Sequence, residues 1–515
     1  MADQQDQGQD EGQNLSWPEL FRLRQTIDFF DNFWKKQKRW EPNERVPIFE
    51  RLPIPFWDPP RPDPAYRNPQ VTQDDASGRN VPFHHSPRTD SGSDSPMVDQ
   101  MRRFFEGLNM GYTMVKVLGA GSQGVAVLFD FNGEKIVMKW STELRAMVTE
   151  LWANRKMVGA RHIVQRKWRP ALLEMGLDRD GERIEDILVL AHLSHYKQEL
   201  NDIVGRVPLM GLLRKISQQR PYLKDSELWN VFLCLFRACV GLAYPDRWAP
   251  QGYVPGQGDA PDQEEFVPVD ATGRALPTDL GIINFDMNDR NVMIGDFSNT
   301  IPPEHPHNPV PVVKVGDLGV VSRFLPEHRN DFTACVMGRI RGNMWCNSPE
   351  QFTDTWKNVD SMESLAADDV AGKFDWWSNL WQVGRLMAIM ITGMQPDVPP
   401  SCRRCPIIKL DGTTQMIWTY AGHLVGPDYD RYDPLLRSTV AWCLAHRPMD
   451  RPQILELETL LMAAVAVDRS ATEGPDRTTI ASLLGSVPPA TTQVPSGLVV
   501  PAAGPAPGPA GPAGP

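Results

Sequence analysis

The chain has no excess of positive charge. Its 53 Lys and Arg are outnumbered by 64 Asp and Glu, a net charge of −11. Broad nucleic-acid binders present a basic face, so that class is not expected. The chain also lacks a cysteine framework. Cys234, Cys239, Cys335, Cys346, Cys402, Cys405 and Cys443 form an odd, scattered set of seven, as in a reduced intracellular protein rather than a disulfide scaffold. Cys402-Arg403-Arg404-Cys405 is a lone C-x-x-C with no second ligand pair nearby. It reads as a loop with two free thiols, not a zinc site. No apolar run reaches the roughly 18 residues of a membrane span; Gln382, Gly384 and Arg385 interrupt even the stretch 380–394. The first fourteen residues carry neither a basic n-region nor an apolar h-region, so no secretory leader is expected. A cytoplasmic or nuclear location, or both, follows as an expectation.

Proline and glycine crowd the two ends and a few internal insertions. Residues 1–111 read as an extension. Within it Leu20, Leu23, Ile27, Phe30 and Trp34 recur at helical spacing between Trp17 and Trp40. This predicts one amphipathic helix, either packed on the main domain or offered to a docking partner or membrane surface. Pro53–Pro64 and Asp74–Asp99 read as disordered linkers. At the other end, residues 469–515 read as a disordered Ala/Gly/Pro-rich tail, without charge after Arg477. Residues 112–468 differ. Val115, Val117, Val125, Val127 and Phe129 alternate as strands do, and Ile136-Val137-Met138 is a further strand core. Helical patterns then dominate from Glu143–Met157 onward. A strand-rich part followed by a helix-rich part predicts an α+β chain with two lobes, about 112–205 and 206–468. Residues 248–280 and 298–311 read as polar surface loops.

Several polar motifs follow one another in this region. Gly119-Ala120-Gly121-Ser122-Gln123-Gly124 lies between two strand-like segments, so it does not open a helix as a dinucleotide-binding fingerprint would. Lys139 stands in the next strand, and Glu143 and Glu150 on the helix beyond it. Asn284-Phe285-Asp286-Met287-Asn288-Asp289-Arg290-Asn291 has the spacing H-R-D-L-x-x-x-N with its first two letters changed. Asp317-Leu318-Gly319 comes next, then Gly342 to Glu350 ending in Ser348-Pro349-Glu350, then Asp375-Trp376-Trp377-Ser378 and Arg451-Pro452.

Taken in this order, residues 112–468 resemble the eukaryotic protein-kinase-like superfamily, in the style of divergent fungal kinase-domain proteins. The resemblance implies a bilobal kinase-like fold, with a small β-rich N-lobe and a large helical C-lobe between disordered extensions. It implies an ATP- and Mg²⁺-dependent protein kinase, Ser/Thr-directed. Gly119, Gly121, Gly124 and Val125 would cover the nucleotide. Lys139 would hold its phosphates, oriented by Glu150, with Glu143 as the rival. Asp286 would handle the substrate hydroxyl proton, and Arg290 would stand in for a missing loop cation. Asn291 and Asp317 would bind Mg²⁺. Glu350, Asp375 and Arg451 would be structural, Glu350 and Arg451 as a buried ion pair. Gln123, Leu318, Asn343 and Cys346 depart from the family pattern, and so do three letters of the 284–291 loop. Asn284 removes a packing histidine, Phe285 removes the arginine that receives an activation phosphate, and Asn288 replaces a lysine. The competing reading is therefore a pseudokinase scaffold that recruits partners; a small-molecule phosphotransferase is the third.

Overall fold

A computed structural model of the chain describes residues 96–107, 111–121, 124–140, 144–166, 187–191, 208–254, 260–278, 281–294, 310, 312–343, 346–394, 402–469 and 472–484. The first part holds α1 (Pro96–Gly107), β1 (Tyr112–Gly121), β2 (Gly124–Phe131), β3 (Glu134–Trp140), α2 (Leu144–Lys156) and β4 (Ile187–Ala191). The four strands form one antiparallel sheet in sequence order. Period-2 alternation turns Val127, Phe129, Ile136 and Met138 inward, where all four are fully buried. Asn132 and Gly133 connect β2 to β3, both with positive φ (51° and 89°). An Asn-Gly pair meets that requirement at little steric cost.

The second part is mainly helical. It contains α3 (Pro208–Gln219), α4 (Asp225–Ala243), β5 (Ile282–Asn284), β6 (Val292–Ile294), β7 (Val313–Val315) and β8 (Val321–Arg323). Beyond these lie α5 (Phe332–Arg339), α6 (Pro349–Phe352), α7 (Met362–Ala367), α8 (Trp376–Thr392), β9 (Arg403–Ile408), β10 (Thr414–Thr419), α9 (Pro434–Cys443), α10 (Ile454–Val465) and α11 (Ile480–Leu484). Helices α4 and α8 form its centre and are buried almost throughout. The Asp375 carboxylate caps α8 by accepting the Trp376 N–H at 2.6 Å. Gly393 ends the helix in the left-handed conformation, φ 66°. The chain is thus α+β.

Four expectations change. Helix α4 is long and apolar enough to cross a bilayer by composition, but it lies 94% buried inside the protein. The packed region extends past 112–468 at both ends. Before it, α1 buries Phe105 against Tyr112 and Phe129, ring centroids 5.5 and 5.4 Å away. After it, α11 is held by Lys215 Nζ to the Leu483 carbonyl and by the Ile480 N–H to Glu227, each 2.6 Å. Cys405 lies on β9, not in a loop, and all seven cysteines are free and buried. Finally, the segment read as a surface loop at 248–280 runs inward: Glu265 is fully buried. The amphipathic stretch 17–40, the residues 295–309 and the tail beyond 484 lie outside the described residues.

Glu350 and Arg451, 101 residues apart, meet in the core with no exposed side-chain area. Arg451 Nη1 and Nη2 each bond one Glu350 oxygen at 2.8 Å. The Ser378 hydroxyl adds a third bond to Glu350, and Arg451 also donates to the Ala445 and Trp377 carbonyls. Such a pair is tolerated in a core only because its hydrogen-bonding groups are met. Arg451→Met should therefore cost about 3–5 kcal/mol in urea unfolding, by stranding the carboxylate. Glu350→Leu combined with Arg451→Met should recover much of that loss.

Candidate active site

The site is assembled by strand pairing. Gly121 pairs with Gly124 at the end of the β1–β2 hairpin, Gly119 with Ala126, and Val125 with both Ala120 and Trp140. The hairpin tip, Ser122-Gln123, and Glu143 lie outside the described residues. Lys139 is on β3 beside Ala126 and Leu188, within the sheet. Its Nζ lies 2.6 Å from Glu150 Oε2 on α2 and 2.6 Å from Asp317 Oδ1. Glu150 is thus a carboxylate brought to the lysine. Burial pulls the Lys139 ammonium down, but the Glu150 and Asp317 charges outweigh it and hold the group above its ordinary range.

Two short antiparallel pairs, β5 with β8 and β6 with β7, bring the remaining groups together. The Gly316 N–H donates to the Asn291 carbonyl at 2.8 Å, so Asn291 and Asp317 leave the β6–β7 ladder at the same end. Asp317 has φ 53°, in the left-handed region that few non-glycine residues occupy. Such strain persists where the surroundings enforce it. Here Lys139 holds the carboxylate.

The 284–291 loop is shaped by side-chain amides. Asn284 is fully buried, and its Oδ1 accepts the Asp286 N–H at 2.9 Å. The exchanged letter therefore closes an Asx-type turn rather than leaving a hole. Asn379 and Gln382, three residues apart on α8, hold the loop from below. Asn379 accepts the Asn284 N–H at 2.7 Å and donates to the Ile282 carbonyl at 2.8 Å. Gln382 accepts the Met287 N–H at 2.6 Å and donates to the Asn284 carbonyl. Neither residue is singled out by the motifs; the one signal is two carboxamides on the buried face of a mainly apolar helix.

Asp286 is half-buried, with both oxygens engaged: Asn288 Nδ2 on Oδ1 at 2.6 Å and Asn291 Nδ2 on Oδ2 at 3.0 Å. Burial, then the nearby Asp317 charge, pushes its carboxyl up to about 7, against the two amides and Arg290. Arg290 itself is anchored through its N–H to Asn288 Oδ1 at 2.8 Å. Phe285 turns the other way, into a second core with Phe324, Phe374, Cys335 and Val336. Its ring meets Phe374 edge-on at 5.6 Å, and Phe374 meets Phe324 at 5.3 Å. Gly342, φ 84°, packs so tightly on the Phe285 carbonyl that a Cβ would lie 2.0 Å from it. The 324–343 segment is thus docked on the loop by aromatic packing where the motif would carry an arginine. Asp375, besides capping α8, pairs with Arg329 of that segment.

Nucleotide-sized phosphates and a hard cation suit this donor set: an ammonium, a carboxylate and a carboxamide oxygen, without soft ligands. The chain folds as a four-stranded antiparallel sheet followed by a mainly helical part. No family model matches it, and no curated protein does. Among solved structures it is similar to a chain of the CAK complex from Chaetomium thermophilum bound to ATP-gamma-S. The two are 14% identical with a TM-score of 0.42, over 75% of this chain and 97% of that one.

Two substitutions should move the Asp286 titration in opposite directions. Asp317→Asn removes a repelling charge and should lower its pKa; Asn288→Leu removes a donor and should raise it. Carboxyl ¹³C NMR of each variant reads the shift.

Proposed function

We propose that the protein transfers the γ-phosphoryl group of ATP to a serine or threonine hydroxyl of a protein substrate. The observation that carries this reading is the Lys139 ammonium held 2.6 Å from both Glu150 and Asp317, with Asp286 in electrostatic contact with Asp317. Phosphoryl transfer asks a protein mainly for alignment and charge neutralisation, and the cluster offers both. In this reading the glycines at 119, 121 and 124, with Val125, let the β1–β2 backbone cover the nucleotide. Lys139 takes the phosphates, steadied by Glu150. Asn291 turns its amide nitrogen to Asp286 and thus its oxygen away; with Asp317 it would hold Mg²⁺. The ion, when bound, neutralises phosphate charge. Asp286 receives or orients the hydroxyl proton, and Arg290 partly offsets the charge that develops nearby. A carboxyl poised near 7 suits a general base at neutral pH.

One observation favours a nucleotide-binding scaffold instead: both Asp286 oxygens already accept amide hydrogens within the loop. A substrate hydroxyl must share one of them. Purified wild-type protein is expected to move label from γ-labelled ATP to protein, with kcat rising as pH climbs through about 7. Asp286→Asn should lose transfer yet keep ATP binding in a thermal-shift titration. Equal transfer by both proteins would remove Asp286 from the mechanism. Nucleotide binding without any transfer would favour the scaffold.

A further inference from the structure

Helix α2, which carries Glu150, ends at Lys156, whose carbonyl accepts the Asp246 N–H and whose ammonium pairs with Asp246, both at 2.9 Å; the loop beyond it has fastenings on two sides. On one side, the Val164 N–H donates to the Val315 carbonyl and the Val315 N–H to the His162 carbonyl, both at 2.8 Å. Val315 lies two residues before Asp317, so this side ties the loop to the β7 turn. On the other side is the inserted segment. The Gln263 N–H donates to the Gly159 carbonyl at 2.6 Å, and the Arg161 N–H to the Gln263 carbonyl at 3.0 Å. Glu265 then takes the His162 N–H on Oε1 at 2.8 Å and the His162 ring Nδ1 on Oε2 at 2.5 Å. Neither side chain has any exposed area.

Glu265 is itself fixed to the helical core. Arg237 of α4 donates to its carbonyl and pairs with Glu458 of α10, which accepts the Val267 N–H at 3.0 Å. The groups facing His162 are Glu265 and, from α4, Cys234. Burial pulls the ring down, but these two raise it to about 8, so the contact is an ion pair at neutral pH. Glu264 is also near, yet Arg161 already pairs with it at 2.7 Å. The three ligand atoms of His162, Glu264 and Glu265 are thus used inside the protein rather than arranged around a cation.

We propose that Glu265 is a positioning residue for the Lys139–Glu150–Asp317 cluster: the inserted segment carries it into the core to lock the far end of the Glu150 helix. Without its carboxylate, a buried imidazolium loses its counter-charge and the bond that ties it to the 248–280 segment. The loop must then shift, and the C-terminal end of α2 moves with it while Ala153 and Met157 stay in the core and Glu150 stays on Lys139. A displacement of about 1 Å is enough to cost roughly a hundredfold in a positioned reaction.

Hydrogen exchange tests the mechanical link, and kinetics test its use. In Glu265→Gln, amides of α2 and of residues 159–164 should exchange faster while those of α8 keep their protection; Glu265→Asp should restore part of the difference. Unchanged α2 protection, or an equal loss throughout α4, α8 and α10, would overturn the proposal. The kinetic arm rests on the phosphotransfer reading. There Glu265→Gln should lower kcat about ten- to a hundredfold, and much less in a Glu150→Gln background, because both changes act through the same contact. Additive losses would overturn it as well. If the wild type transfers no phosphate, the phosphotransfer reading fails and the exchange result alone decides the role of Glu265.

Discussion

Two carboxylates share a partly buried space at the centre of this protein because an ammonium lies between them. Glu150 and Asp317 repel each other wherever water is scarce, and Lys139 reverses the sign of that interaction. The three groups come from a strand, a helix and a turn that the chain visits far apart. Their meeting sets the placement of α2 against the sheet and of the 317 turn against both. The left-handed backbone at Asp317 is one cost of the arrangement.

The same demand, that buried polar groups find partners, shapes the loop below. Asn284, Asn288 and Asn291 close it from within, while Asn379 and Gln382 brace it from α8; of these groups the buried Asn284 Nδ2 is left without a hydrogen-bond partner. A carboxamide suits this work because it offers a donor and an acceptor without bringing a charge to Asp286. At position 285 the solution is apolar. The Phe285, Phe374 and Phe324 rings join the loop to the segment after β8, so packing supplies there what an ion pair supplies elsewhere. The inserted segment adds a third device, a buried His162–Glu265 pair that joins α2 to the helical core.

Part of this was legible along the chain. Alternation in 125–129 and 136–138 reveals strands because side chains on a strand take opposite faces in turn. The glycine spacing, Lys139, Asp286, Asn291 and Asp317 stand out as an ordered set because their spacing is a local property. Asn284 and Phe285 looked like damage, since a motif records which residue is exchanged and not which new contact follows. The stretch 248–280 looked like a surface loop, since proline, glycine and acidic residues are mostly exposed. Glu265 is the exception that burial requires a partner to permit.

Residue types and their order determined the strands, the helices and the stock of groups available for chemistry. The tertiary structure alone decided that Asn379 and Gln382 grip the loop, that Glu265 meets His162, and that α1 and α11 belong to the packed body. The loop, Glu265 and α11 contacts join residues from 95 to 268 positions apart. Over such separations short-range propensity carries no information. What selects the partners is the cost of burying a charge or an N–H with nothing to meet it, and that cost exists only once the chain has folded.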